Sequence, residues 1–191
     1  IKGIVNRTYG KLGWGMVFDT SSEDIEVADT SDFTFGDGTT DNPFSISLWI
    51  NPRDATGDHS FTTKSSEWRF WYESSKLRMR LVDGDEVHTI ETDTQPLNQW
   101  SHLVMTYDGR GGATGANGVE IYIDAVVVAS PSRTNDAQYV AMSDGSDPVR
   151  IGAANWDGFI DEVKIWNRAL RPDEISAMYS RSLGTGNITT Q

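Results

Sequence analysis

The chain has 191 residues, and its 28 acidic against 16 basic residues give a formal net charge of −12. One domain is expected at this length. Because cysteine is absent, thiol catalysis, cysteine-based zinc sites and a disulfide framework are excluded. The acidic balance argues against nonspecific nucleic-acid binding, which depends on neutralising phosphates. The longest apolar run, residues 125–129, is far shorter than the roughly 20 residues of a spanning helix, so no membrane insertion is expected.

Alternating apolar and polar residues predict strands along most of the chain. The segment Phe44–Ile50 alternates and ends before Pro52, which is typical of a half-buried strand. Residues 68–72 and 76–81 alternate on either side of a Ser74-Ser75 turn, which predicts a hairpin with one dry face. Further strands are predicted at residues 87–91, 100–108, 119–123, 126–128, 149–152 and 159–166. About a dozen strands at this spacing predict an all-β fold, a two-sheet antiparallel β-sandwich.

One short helix is predicted near the C-terminus. Pro172 suits a first helical position, and two acidic residues follow it where the helix dipole favours anions. Gly184 provides a stop. An apolar stripe at i, i+3 and i+4 is formed by Ile175, Met178 and Tyr179. We expect this helix to close one end of the sandwich, residues 184–191 to form a loose polar tail, and residues 1–191 to form a single domain.

The strongest local signal is Phe-Ile-Asp-Glu-Val-Lys-Ile-Trp-Asn-Arg-Ala-Leu at residues 159–170, which runs into Pro-Asp-Glu-Ile. This segment resembles the closing signature of the laminin-G-like, concanavalin A-like jelly-roll family. Other landmarks follow in the order of that family, at residues 10–19, 24–27, 44–50, 97–103, 106–109 and 121–124. The resemblance covers about residues 10–180 and implies a jelly-roll sandwich. It does not specify a function, because one fold hosts many kinds of site.

Two departures from the family pattern carry structural expectations. Asp124-Ala125 stands where the family usually has Asn-Gly. Alanine fits poorly into the positive φ of a type I′ turn, so we expect another turn type there. The family also often begins with an extra strand before the segment that starts here at Gly10. Only nine residues precede Gly10, so we expect a sheet edge that is open or closed by a neighbouring chain.

Catalytic constellations are missing from the sequence. The three histidines, His59, His88 and His102, lie near strand or turn positions without an evident serine and aspartate partner. Glycosidases of this superfamily use a Glu-x-Asp-x-Glu strand, which this chain lacks. Asp161 and Glu162 come nearest, but adjacent strand residues point to opposite faces. We therefore expect no catalytic residues and no enzymatic activity.

The family resemblance also implies a structural calcium ion. Calcium takes six to eight oxygen ligands from carboxylates and loop carbonyls. Carried over to this chain, the site implicates Asp19, Ser21, Asp24 and Asp161. The alternative is a solvated acidic turn beside a capped strand end.

A cationic patch is predicted on the outer face of the 68–81 hairpin. Strand alternation places four residues opposite the apolar side: Arg69, Trp71, Arg78 and Arg80. Arginine suits bidentate contacts with sulfate or carboxylate, and an indole ring stacks on a sugar or a guanidinium. The alternative is a solvated face whose arginines pair with Glu67, Glu73 or Asp83.

These features favour a non-catalytic recognition module that binds a glycan or a protein partner in the extracellular space or on a cell or virion surface. The alternative function is structural, as an assembly or decoration domain of a virus particle or a larger adhesin, with a homo-oligomer or larger assembly as the expected state. A glycosidase is disfavoured because the paired carboxylates are missing.

Overall fold

The structure, a computed structural model, describes residues 5–19, 23–54, 56–84, 86–92 and 97–184. Within this part there are fourteen strands and one α-helix, together with 3₁₀ segments at Ser31–Phe33 and Gly112–Gly118. The strands are β1 Asn6–Tyr9, β2 Trp14–Phe18, β3 Ile25–Val27, β4 Phe44–Pro52, β5 Asp58–Lys64, β6 Trp68–Glu73, β7 Lys76–Asp83, β8 Glu86–Thr92, β9 Ser101–Tyr107, β10 Val119–Ile123, β11 Val126–Val127, β12 Ser132–Thr134, β13 Val149–Ile151 and β14 Gly158–Trp166. The helix α1 spans Pro172–Ser182.

The strands form two antiparallel seven-stranded sheets, so the predicted sandwich is confirmed. One sheet has the order β1-β2-β14-β4-β9-β10-β11, and α1 packs on it, so we call it the helix-covered sheet. The other has the order β12-β8-β7-β6-β5-β13-β3, and we call it the helix-free sheet. No helix of the described residues has the length and apolar content needed to cross a bilayer.

The core lies between the sheets and follows directly from strand alternation. On β4, Phe44, Ile46, Leu48 and Ile50 are fully buried and share one cluster with inward residues of β6 and β7. Each fully buried side chain of this size contributes roughly 1.5–3 kcal/mol relative to exposure. The side chains at the opposite phase of each strand are thereby directed to the outer faces.

The helix α1 packs on the outer face of a sheet, so the expectation that it closes one end of the sandwich was wrong. Ile175 lies in a small cluster with Val104 of β9 and Tyr122 of β10, both out of phase with the core residues of those strands. Tyr179 also stacks on Trp49, with 5.8 Å between ring centroids. Outward apolar residues of β4, β9 and β10 therefore provide a second, smaller core beneath the helix.

The β10–β11 turn has the geometry that the sequence argued against. Ile123 pairs with Val126, and the two central residues, Asp124 and Ala125, have φ of 50° and 66°. Positive φ at both positions defines a type I′ turn. The Asp124 side chain accepts a hydrogen bond from the backbone N–H of His102 at 2.8 Å, and the Asp124 N–H donates to the His102 carbonyl at 2.8 Å. These contacts hold Ala125 in a conformation that alanine rarely adopts.

The residues before Gly10 form a strand, β1, which pairs in register with β2. Tyr9 lies opposite Trp14, and the two rings stack at 5.1 Å. The described residues thus include a strand before Gly10, and it is the outermost strand of the helix-covered sheet. The loose tail was predicted at residues 184–191, and all of it except Gly184 lies outside the described residues.

Candidate functional site

The four residues of the predicted cationic patch lie together on the outer face of the helix-free sheet. The β6–β7 hairpin closes through Ser74 and Ser75, as predicted, with Glu73 opposite Lys76. This register sets two cross-strand pairs: Arg69 opposite Arg80, and Trp71 opposite Arg78. We call these four side chains the arginine face.

Trp71 lies at the centre of the arginine face and is covered by it. Its side chain is only 4% exposed. The guanidinium carbons of Arg69 and Arg80 lie over its ring, 5.1 and 5.8 Å from the centroid. Stacking between guanidinium and indole is favourable, so the tryptophan acts as a support that positions two arginines.

Two arginines of the face are neutralised by carboxylates. Arg69 forms a fork with both oxygens of Asp58, one contact measuring 3.0 Å, and its Nε donates to the Ser60 hydroxyl. Arg78 donates to Glu73 at 2.5 Å and pairs with Glu91 at 2.7 Å. Fork geometry of this kind holds a guanidinium in one orientation.

Arg80 differs from both neighbours because it has no carboxylate partner among the described residues. Burial lowers the pKa of Arg80, and the adjacent Arg69 charge lowers it further. The N–H groups Arg80 Nε, Arg78 Nε and Trp71 Nε1 are enclosed and have no acceptor within the described part of the chain. Each buried donor without an acceptor costs about 1–3 kcal/mol. The arginine face thus concentrates positive charge and hydrogen-bond donors that no described residue satisfies.

The acid partners predicted for these arginines were mostly wrong. Glu73 does pair with Arg78, but Glu67 forms a fully buried ion pair with Lys64. Asp83 accepts a hydrogen bond from the Val140 backbone at 3.0 Å. The partners that the sequence did not reveal, Asp58 and Glu91, lie on the flanking strands β5 and β8. The outward phase of Glu91 on the predicted strand at residues 87–91 indicated its face but not its partner, and no strand was predicted around Asp58.

A groove of about 400 Å³ adjoins the arginine face. Glu91, which pairs with Arg78, lines it together with Lys76. The opposite wall is formed by the loop of residues 128–132. The groove therefore lies directly beside the Arg78–Glu91 ion pair.

The predicted calcium ligands do not converge in the described part of the chain. Both oxygens of Asp161 accept backbone N–H groups, from Leu12 at 2.8 Å and from Glu162 at 2.8 Å. Asp24 instead pairs with Arg150 at 2.7 Å. Asp161 therefore anchors the β1–β2 turn, as the alternative of a capped strand end describes.

Strand register separates Asp161 from Asp19. Ile160 pairs with Met16, which places Asp161 level with Gly15, four positions from Asp19. Four strand residues span about 13 Å. No cluster of three or more acidic or histidine side chains suited to a metal exists among the described residues. Ser21 lies outside them, so calcium binding stays a prediction.

The described histidines have structural environments. Burial, with a smaller effect of the Lys164 charge, lowers the pKa of His102 to about 4, and its ring packs against Trp49 and Tyr179, with centroids 5.2 and 6.2 Å away. His59 Nδ1 lies 2.6 Å from the Asn155 carbonyl, and its Nε2 accepts from the Gly57 N–H. The side chain of His88 lies outside the described residues. Neither described ring has a serine hydroxyl among its hydrogen-bond partners.

The family follows from a match between residues 19–176 and the model of the concanavalin A-like lectin/glucanases superfamily. The chain belongs to this superfamily. A search of curated proteins finds no match.

Solved structures with this superfamily fold include binding domains of larger proteins. The binding domain of Paraclostridial Mosquitocidal Protein 1 aligns with 95% of this chain at a TM-score of 0.74 and 18% identity. Domain 4 of AbnA, an extracellular arabinanase from Geobacillus stearothermophilus solved with arabinotriose, aligns with 93% at 0.66 and 18% identity. The ligand binding domain of botulinum neurotoxin serotype D, solved with N-acetylneuraminic acid, aligns with 87% at 0.64 and 15% identity.

The chain spans 46% of the length of the Mosquitocidal Protein 1 binding domain and 42% of the neurotoxin binding domain. It spans 82% of AbnA domain 4. At identities of 15–18%, these structural alignments show a shared fold and no more. Two of the three structures are described as binding domains, and two were solved with a sugar.

Proposed function

We propose that this chain is a non-catalytic glycan-recognition module whose ligand binds on the arginine face. The observation that carries the proposal is the outer face of the helix-free sheet, where arginines are positioned around Trp71 and Arg80 lacks a carboxylate partner among the described residues. The other sheet's outer face is occupied by α1. The helix-free sheet therefore provides the broad surface for a ligand.

Binding without catalysis is supported by the chemistry of the site. Hydrolysis of a glycosidic bond needs two carboxyl groups on opposite sides of that bond. On the arginine face the nearby carboxylates, Asp58, Glu73 and Glu91, are engaged in ion pairs with arginine. Each of these carboxylates is thus turned toward a guanidinium group of the face and not toward a bound sugar.

An extracellular or surface location agrees with this function. One structural relative is part of an extracellular arabinanase, and two relatives are binding domains of toxins. A glycan or a glycan-bearing protein on a surface would be the partner. The net charge of −12 makes the arginine face a local cationic region on an otherwise acidic protein.

A glycan array tests the proposal most broadly. The wild-type chain and an Arg78→Gln/Arg80→Gln double variant should be applied with and without calcium, and Arg181→Gln serves as the control because Arg181 lies exposed on α1. We expect wild type and the control to retain the same glycans, and the double variant to lose them. Retention of no acidic or neutral glycan by the wild type would refute the function.

A second candidate is assembly, as a decoration or adhesin domain. It is favoured by the edges of the helix-covered sheet, where Tyr9 is 81% and Val126 is 68% exposed. An exposed edge strand can pair with another chain. Size-exclusion chromatography with light scattering discriminates, since a monomer at high concentration contradicts self-assembly.

A further inference from the structure

We infer that the arginine face is an oxyanion receptor centred on Arg80, so that its glycan carries sulfate or carboxylate groups. This inference rests on the proposed function and names the class of glycan. It is argued from the charge balance, the donors and the geometry of the face.

Among the described residues, the arginine face and its surroundings carry one more basic side chain than the carboxylates that pair with them. Lys76, Arg69 and Arg78 each contact a carboxylate, and the described carboxylates of the central strands are thereby engaged. Arg80, directly opposite Arg69, is in direct contact with none of them, and the Asp58 and Glu73 charges act on it only from a distance. Two like charges at opposed positions of a β ladder repel each other. An incoming anion between these guanidinium groups would relieve that repulsion, whereas a neutral sugar would not.

The donors point to the same ligand class. Trp71 is 4% exposed, and its Nε1–H has no acceptor within the described residues. The Nε–H groups of Arg78 and Arg80 share this condition and belong to adjacent side chains of the same face. A sulfate or carboxylate oxygen accepts several hydrogen bonds at once and matches guanidinium geometry. A sugar hydroxyl accepts fewer and carries no charge.

The geometry is preorganised for this ligand. Arg69 is held by Asp58 and Ser60, and the Trp71 ring supports the guanidinium groups of Arg69 and Arg80. Little side-chain ordering remains to be paid on binding.

Isothermal titration of the folded chain tests this inference with four probes at constant ionic strength: sodium sulfate, a sulfated disaccharide, its desulfated counterpart and an oligoglutamate peptide. Each is titrated into wild type and into Arg80→Met, which keeps the apolar stem. Arg80→Lys keeps the charge without the fork, and Arg181→Met removes one exposed charge on α1 as the matched control.

We expect the sulfated disaccharide to bind wild type and Arg181→Met equally. Its Kd should rise about tenfold or more in Arg80→Met and by less in Arg80→Lys, as expected for a lost charge-assisted contact. Sodium sulfate should compete with it. Circular dichroism melting confirms that each variant is folded.

Three results would overturn the inference. Equal affinity for the sulfated and desulfated sugars would refute the oxyanion while leaving the glycan-binding function intact. Equal losses of affinity for the sulfated disaccharide in Arg80→Met and Arg181→Met would refute Arg80 as the centre of the site. Tighter binding of oligoglutamate than of the sulfated sugar would assign the face to an acidic protein. If neither disaccharide binds, the proposed function fails, and the sulfate titration alone shows whether Arg80 receives oxyanions.

Discussion

Arg69 and Arg80 face each other across the β6–β7 ladder, and only Arg69 has a carboxylate partner among the described residues. Opposed like charges in an antiparallel pair are destabilising. Trp71 lies beneath both guanidinium groups and offsets part of that repulsion. The pair is therefore a local cost in stability that a bound anion would reverse.

Two methionine substitutions on this pair should have opposite effects on stability. Arg80→Met removes the repulsion and an unsatisfied donor, so the free energy of unfolding should rise by about 0.5–1 kcal/mol. Arg69→Met breaks the fork with Asp58 and should lower it by about 1 kcal/mol. Urea denaturation measures both. A loss of stability in both variants would mean that the charges of the pair do not oppose each other.

Protonation of His102 should destabilise the fold at acidic pH. Burial, and to a lesser extent Lys164, holds its pKa at about 4, below the ordinary value of 6.5. Between these values the unfolded chain binds more protons than the folded one, so stability rises with pH. It is fully present above about pH 6.5 and falls by up to about 3 kcal/mol as the pH drops to 4.

His102→Phe provides the matched comparison, because phenylalanine keeps an aromatic ring in contact with Trp49 and Tyr179. Thermal melting between pH 4 and 8 should show a shallower loss of stability in the variant than in the wild type. Parallel curves for the two proteins would indicate that His102 is not the group responsible.

Asp161 should stabilise the fold through contacts within the chain. Asp161→Asn replaces one acceptor oxygen with an NH₂ group that faces a backbone N–H, from Leu12 or from Glu162. The expected cost is about 1–3 kcal/mol, and it should be the same in calcium and in chelator. Asp19→Asn, at an exposed position, should change little. If Asp161→Asn destabilises only when calcium is present, Asp161 is a metal ligand.

The type I′ turn should be improved by glycine. Ala125→Gly relieves the positive φ of 66° and should stabilise the protein by about 0.5–1 kcal/mol. Ala177→Gly, at an exposed helical position, should destabilise by about the same amount. Denaturation of both variants checks the opposite signs. Destabilisation by Ala125→Gly would contradict the turn assignment.

The sandwich and the membership of the arginine face could be predicted because both depend on local signals. Strand alternation fixes which side chains share a face, and the Ser74-Ser75 turn fixes which residues of β6 and β7 lie opposite each other. These two rules brought Arg69, Arg80 and Trp71 together without knowledge of the other strands.

The carboxylate partners could not be predicted because they depend on strand register across the sheet. The pairing of β5 with β6 shifts between Ser60 and Thr62, a bulge that reverses the phase of the strand. Lys64 is consequently directed inward, where it is fully buried against Glu67. Lysine is rarely buried in proteins, so the residue type alone predicts the opposite orientation. The same shift leaves Asp58 on the outer face beside Arg69.

The position of α1 could also not be predicted from local features of the sequence. The outward residues Trp49, Val104 and Tyr122 are buried, but an apolar residue at an outward phase indicates only that something covers it. The loop of residues 167–171 leads the chain back over this face. The position of α1 depends on the direction that the chain takes after β14, and the periodicity of the sequence does not encode that direction.

The seven tryptophans provide the most direct test of the central claim, that ligand binds on the arginine face. They report on separate regions: Trp71 on the arginine face, Trp49 beneath α1, Trp14 on the exposed β1–β2 hairpin, and Trp68 and Trp156 in the core. Indole N–H signals in a ¹H–¹⁵N NMR titration with an acidic oligosaccharide should show the largest shift at Trp71, with those of Trp14 and Trp49 nearly unchanged. A saturable shift confined to Trp14 or Trp49, with the Trp71 signal unmoved, would contradict the account.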